Sequence, residues 1–245
     1  MRLAIPSSVF FVLIVFSCTP VFAQGGPPLI TDDAGTPGPN KWEINIAMVG
    51  GKDDGVIQYD LPLLDFNYGV GDNMMLRVGL PWVFQEDAEG RDKNGFGNVG
   101  LAFKWRFLDE EKAGVGVSFY PQYEFNTLPS SATRGLADHG FNLFLPFEIA
   151  KTFGNADVAL EIGYNISKCS CDQIQCGLVS GWKFSDKTDV VGELREINDF
   201  HQNTLIAQVG THWNFYSCYT LLFSVGRELK GAPNILSYLG LRLNL

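Results

Sequence analysis

The sequence predicts an all-β fold: a closed, antiparallel, up-and-down transmembrane β-barrel of about 12 strands. Three observations carry this. Apolar and polar residues alternate in segment after segment. Tight turns and longer polar loops alternate along the chain. All five tryptophans fall on the apolar parity near strand ends, while charges within strands fall on the polar parity. The stretch 97–107, GNVGLAFKWRF, shows the pattern: Val99, Leu101, Phe103, Trp105 and Phe107 alternate with Asn98, Gly100, Ala102, Lys104 and Arg106. A strand sends alternate side chains to opposite faces, so one face is apolar and the other small, polar or basic. Lipid outside and a polar lumen inside require this.

Residues 1–23 read as a secretory signal: a basic Arg2, an apolar run VFFVLIVF, and Val21-Phe22-Ala23 before Gln24. A lipoprotein alternative at Cys18 is weakened by the bulky Phe16. Residues 24–40, QGGPPLITDDAGTPGPN, form a Gly/Pro-rich lead-in rather than a regular element. Residues 41–245 are the barrel. Strand one, 42–49, sets Trp42, Ile44, Ile46 and Met48 against Glu43 and Asn45. Strand two, 56–68, sets Leu64, Phe66 and Tyr68 against Asp65 and Asn67. After GVGDN, strand three, 74–82, sets Met74, Leu76, Val78, Leu80 and Trp82 against Arg77. A polar loop, QEDAEGRDKNGF, leads to strand four, the stretch quoted above. The turn LDEEKAG leads to strand five, 115–125, with Glu124 on its polar face. The loop NTLPSSATRGLAD follows, then strand six, 141–149, with Glu148 opposed to Phe147 and Ile149.

Strand seven, 158–166, sets Glu161 and Asn165 against Leu160, Ile162 and Tyr164. A Cys-rich loop leads to strand eight, 174–184, with Lys183 opposed to Trp182. Strand nine, 190–197, carries Glu193 and Arg195 on one face and is the weakest pattern. Strand ten, 205–215, sets Gln208, His212 and Asn214 against Val209, Trp213 and Phe215. Strand eleven is 219–225. Strand twelve, 235–245, sets Arg242 and Asn244 against Leu239, Leu241, Leu243 and Leu245. An even strand number with short turns at one end and longer loops at the other fits a bacterial outer-membrane barrel.

Composition supports export to a membrane. Charged residues are 18% of the chain, below the ~25% usual for soluble domains. No apolar run reaches the ~18 residues of a membrane helix. The net charge is −9, and −10 once the signal with its Arg2 is removed, which argues against a nucleic-acid partner. Trp42, Trp82, Trp105, Trp182 and Trp213 suit the membrane interface, where an amphipathic ring meets headgroups. A soluble sandwich would bury Trp in mid-strand instead. The implied partners are outer-membrane lipid and lipopolysaccharide, the barrel-insertion machinery and a small-molecule solute.

The segments TDDAGTPGPNKWEINIA, LDFNYGVGDNMMLRVGLPW, GFGNVGLAFKWRFLDEE and FYPQYEF resemble outer-membrane transporters grouped as the MetA-pathway phenol-degradation family. The resemblance spans most of the mature chain. It implies a barrel that passes small, aromatic or hydrophobic molecules, and it implies no catalytic residues. Two features depart from the family: the loop KCSCDQIQC, and a final Leu245 in place of the usual terminal aromatic.

The candidate pore-lining set is Asp65, Arg77, Lys104, Arg106, Glu124, Glu148, Glu161, Lys183, Glu193, Arg195, His212 and Arg242. With Glu43 it holds six acids and six bases, which suggests opposed, paired ladders and no net selectivity. Such pairs either stiffen the barrel or orient a solute. Cys169, Cys171 and Cys176 straddle one loop, where a disulfide would clip the hairpin; a metal site lacks a fourth ligand. Cys218 lies at the opposite end and is expected to be free or unpaired with these. The acidic loop with Glu86, Asp87, Glu89 and Asp92 is a solvated loop or a divalent-ion bridge to lipopolysaccharide. Asp32 and Asp33 are candidates to plug or cap the periplasmic mouth. His139, His201 and His212 are scattered, and Ser130 and Ser131 near Asp138 and His139 form no nucleophile motif, so no enzyme and no cofactor are expected. The functional expectation is a channel or passive transporter for small solutes. The alternatives are a structural or interaction barrel with a closed lumen, a barrel hydrolase, and a soluble exported β protein.

Overall fold

The protein is a barrel of antiparallel strands with a loop folded inside it. The computed structural model describes residues 25–53, 56–168, 170–231 and 234–245; the signal segment and Cys169 lie outside the described residues. Fourteen β segments follow in order: β1 (Trp42–Asp53), β2 (Val56–Val70), β3 (Met74–Glu86), β4 (Asp92–Phe96), β5 (Asn98–Leu108), β6 (Gly116–Phe119), β7 (Gln122–Asn126), β8 (Phe141–Phe153), β9 (Ala156–Ser167), β10 (Gln173–Ser185), β11 (Thr188–Asn198), β12 (Asn203–Tyr216), β13 (Tyr219–Lys230) and β14 (Ile235–Asn244). Both β4 and β5 pair with β3, and both β6 and β7 pair with β8, so the segments make 12 barrel strands. The first and last strands close the ring, from Glu43 opposite Asn244 to Lys52 opposite Ile235. Closure leaves no open strand edge, which a hydrocarbon surround demands.

Local chemistry explains the two interruptions. Between β4 and β5, Gly97 passes so close to β3 that an added Cβ would lie 2.7 Å from Val83 Cγ2. Between β6 and β7, Pro121 has no N–H for the ladder, and the neighbouring Tyr120 N–H donates to the Pro146 carbonyl at 3.1 Å. The strands outrun the sequence expectation at the long-loop end. The expected loop QEDAEGRDKNGF is mostly a hairpin: β3 reaches Glu86 and β4 begins at Asp92. Two connections contain short helices, α1 (Glu110–Ala113) and α2 (Pro129–Thr133). The first is capped by Asp109, which accepts the Glu111 N–H, and ends at Gly114 with φ 74°.

Polarity is inverted relative to a soluble protein. Phe147, Ile162, Leu178, Leu194 and Val209 point outward and are exposed, while Asn45, Lys104, Glu148, Glu161, Glu193 and Arg195 point inward and are buried. Charged side chains are almost never buried in soluble domains unless paired, and contiguous apolar surface marks an interaction surface, here a lipid one. Apolar clusters in the interior are small: Leu29 with Ala159, Val179 and Val191, and Ala47 with Leu222 and Tyr238.

Candidate functional site: the lumen and the loop across it

The inward side chains form a network of paired charges. Arg77 Nε lies 2.6 Å from Asp65 Oδ1 on the neighbouring strand. Lys104 Nζ lies 3.1 Å from Glu148 Oε2, with the Tyr120 ring 4.3 Å away. Arg195 donates to Glu161 Oε1 at 2.7 Å. Arg242 Nε lies 3.5 Å from Glu43 Oε1 and donates to Asn45 Oδ1 at 3.1 Å. Each of these pairs joins neighbouring or next-but-one strands, so none of them runs across the interior as the expected ladder would. Arg106 and Lys183 pair instead with turn acids three residues on, Asp109 and Asp186, each at 3.2 Å. Both stand close to the strand ends, where a turn carboxylate is nearer than the far wall. Glu124 and Glu193 make no salt bridge among the described residues.

Glu193 serves a different partner. It accepts hydrogen bonds from Ile30 N–H at 3.0 Å, Thr31 N–H at 2.8 Å and Thr31 Oγ1 at 2.5 Å. Ile30 and Thr31 belong to the lead-in, which is not a simple connector. Residues 25–37 enter the barrel and turn back on themselves. Gly26 N–H donates to Thr31 O at 2.8 Å and Leu29 N–H to Gly26 O at 2.9 Å. Asp33 ties the two limbs, accepting from Gly25 N–H at 2.8 Å and Gly35 N–H at 2.6 Å.

The loop is fastened to several walls. Lys104 donates to the Asp33 carbonyl and lies 3.2 Å from Asp32 Oδ1. Arg195 donates to Thr31 Oγ1 at 2.9 Å. Ser224 donates to Pro28 O at 2.6 Å, and Arg242 to Pro27 O at 2.9 Å. Lys104 on β5 and Glu193 on β11 stand on nearly opposite sides of the ring by strand order, so the loop spans the lumen. Glycines clear its path: a Cβ at Gly177 would fall 1.8 Å from Thr31 Oγ1, and one at Gly69 would fall 1.8 Å from Gly38 O. Sequence reasoning placed Asp32 and Asp33 near a mouth but missed Thr31, Pro27 and Pro28. For Pro27 and Pro28 the signal was two carbonyls without competing N–H groups, which leaves acceptors for wall donors, whereas nothing local marks Thr31.

Space remains around the loop. One cavity of about 430 Å³ is lined by Val49, Leu63, Met75, Tyr120, Tyr238 and Arg77, with loop residues on one side. Two more, of about 330 and 350 Å³, open toward the long-loop end. Glu124 stands in the wall of all three. A smaller space of about 90 Å³ lies at the turn end, beside Glu110 and Lys151.

The remaining candidates lie as follows. His212 is buried beside the Pro27 backbone, whereas His139 and His201 are exposed, so the three histidines do not converge. Trp42, Trp105, Trp182 and Trp213 point outward within four residues of the turn end and are exposed; Trp82 is half-buried against Phe96, and β3 continues four residues beyond it. Cys171 and Cys176 carry free thiols, so they form no hairpin disulfide. Cys176 sits at outward parity between Ile174 and Leu178, directed away from the lumen and opposite Ile162 on β9. Cys218, expected free or unpaired with these, is disulfide-bonded, and neither Cys171 nor Cys176 is its partner. In the acidic outer loop Arg91 pairs with Asp87 at 2.8 Å and Glu89 at 2.9 Å. Among the described residues no group of three His, Cys, Asp or Glu side chains is placed to hold a metal ion.

No family model matches the chain, and no curated protein matches it. Solved structures do. The COG4313 outer membrane channel from Pseudomonas putida F1 aligns with a TM-score of 0.62 at 13% identity, covering 84% of this chain and 94% of that one. The NanC porin aligns with a TM-score of 0.62 at 6% identity, covering 82% and 100%. The KdgM porin, solved in complex with disordered oligogalacturonate, aligns with a TM-score of 0.58 at 8% identity, covering 81% and 98%. At these identities the likeness is one of fold: the chain is a closed, 12-stranded antiparallel β-barrel of the architecture found in outer-membrane channels and porins.

Proposed function

We propose that the protein is a passive channel of the bacterial outer membrane for small solutes, held closed at rest by its N-terminal loop. The observation that carries this is a polar, partly hollow lumen inside an apolar exterior, crossed by a loop fixed through side chains rather than by the barrel's own ladder. The turn end faces the periplasm in this reading, and the loop enters from there. The cavity beside Tyr120, Tyr238, Met75 and Leu63 supports passage of small aromatic or hydrophobic molecules, as does the resemblance to the phenol-degradation transporters. The twelve charged and imidazole side chains from Asp65 to Arg242 line or brace the path. The exposed tryptophans at the turn end sit at the membrane interface. Lipopolysaccharide at the outer loops and the insertion machinery at the last strand are the remaining partners.

A second reading, a structural barrel with a permanently closed lumen, is favoured by the same loop. Liposome swelling separates them. Proteoliposomes of wild type and of Glu193→Ala are challenged with small neutral solutes of graded size. The channel reading expects slow swelling for wild type and at least tenfold faster swelling for the variant, whose loop tip loses three hydrogen bonds to a carboxylate. Equal, solute-independent impermeability of both proteins would leave the structural barrel as the better account.

A further inference from the structure

The cavity of about 330 Å³ is chemically unlike the larger, more apolar one. It lies at the long-loop end between β7, β8, β9, β10 and β11. Five carboxamides face it: Gln122, Asn142, Asn165, Gln173 and Gln175. Each carboxamide offers both a donor and an acceptor. The amides are oriented from a fixed base. Arg195, 3% exposed, donates to Gln175 Oε1 at 2.5 Å, and Gln175 Nε2 donates to Gln173 Oε1 at 2.8 Å. The same guanidinium is neutralised by Glu161 and keeps a buried Nε without a hydrogen-bond partner among the described residues.

One aromatic ring stands among these polar groups. Phe144 is on the lumen parity of β8, with the Arg195 guanidinium 5.7 Å from its ring centre. Diagonally across from it on β9, opposite Pro146, is Gly163, where a Cβ would lie 2.6 Å from the ring. The missing side chain lets the ring pack against the wall, and its face is one side of a polar pocket. Among the described residues the one other charge in the lining is Glu124, which has no salt bridge among them, so the pocket carries a net negative charge.

We propose that this pocket is a binding site for neutral or amino sugars on their way into the barrel. A sugar ring presents hydroxyls that donate and accept around its rim, which matches the carboxamides, and a C–H face that matches Phe144. Glu124 discriminates against sugars bearing a carboxylate. The site rests on the reading of the lumen as a solute path, and its volume falls in the range of small-molecule pockets.

The test is equilibrium binding. The barrel, refolded in a zwitterionic micelle free of sugar-based detergent, is titrated calorimetrically with sucrose, glucosamine and galacturonate. Sucrose and glucosamine are expected to bind, and galacturonate at least tenfold more weakly. Phe144→Leu, which keeps an apolar side chain of similar volume, should weaken sucrose binding about tenfold. Glu124→Gln should raise galacturonate affinity and narrow the ratio between sucrose and galacturonate binding at least tenfold. Folding of each variant is read from its heat-dependent gel mobility. Absence of sucrose binding to the folded barrel overturns the site, as does binding that neither substitution alters. Because binding is scored without conduction, a barrel that binds sucrose but never conducts removes the channel reading alone.

Discussion

Arg195 is the side chain on which most of the interior depends. It is buried, and it holds Glu161, Gln175 and Thr31 together. Removing one member of a buried pair leaves an uncompensated charge and costs about 3–5 kcal/mol, whereas replacing both by apolar groups is often neutral. Arg195→Met should therefore lower the stability of the barrel by that amount in denaturant titration, and the Arg195→Met, Glu161→Met double variant should recover most of it. A double variant as unstable as the single would show that the pair is not the unit. At the outer loop, Asp87 accepts the backbone N–H groups of Arg91 and Glu89 and the Arg91 side chain, which holds its carboxyl below the usual carboxylate range. A depressed carboxylate contributes its stabilisation above the ordinary aspartate pKa of about 3.9 and loses it as pH falls through the lower folded value. The protection factor of the Arg91 amide should hold from neutral pH down to about pH 4 and then fall toward one as the carboxylate is protonated. Protection that persists unchanged well below that pH would contradict it. Side-chain parity was readable from the alternation alone, because strand periodicity is local. Pairing was not, because which base meets which acid depends on register across strands far apart in sequence.

Among the elements, the lead-in is where sequence reasoning fell shortest. Its Gly and Pro residues erase both helical and strand periodicity, so it reads as a connector. In the folded chain those residues are what fit it to the lumen: Pro27 and Pro28 offer carbonyls to Arg242 and Ser224, and wall glycines leave room for it. This gives a test that changes no charge. Gly177→Ala places a methyl where Thr31 Oγ1 now sits, and it should displace the loop tip while β10 keeps its pairing. The expected result is increased protease cleavage within residues 25–37 from the turn side, with unchanged barrel gel mobility. A loop as protected as in wild type would mean that the wall yields instead. The cysteine loop is a different case: close spacing favoured a clip, but Cys176 stands within β10 at outward parity, and its thiol and that of Cys171 are free.

At the scale of the molecule, inverted polarity is the governing fact, and it is legible in the sequence because twelve strands repeat one alternation. The lumen's charge balance was not. The inward set read from the sequence balances six acids against six bases, but the loop adds Asp32 and Asp33, and Asp60 on β2 and Asp138 join Glu124 at the outer cavities without a salt bridge among the described residues. The excess predicts cation preference, in the manner of carboxylate rings in cation channels. Under a salt gradient the reversal potential should favour cations, and Glu124→Gln with Asp60→Asn should reduce that preference. Anion preference in wild type would count against the placement of those carboxylates along the path. Closure of the channel by the loop inside the barrel can be read from single-channel conductance in planar bilayers of wild type beside a variant lacking residues 25–37. Rare or small steps are expected for wild type and large, long-lived steps for the variant. A correctly folded variant that conducts no more than wild type would contradict it.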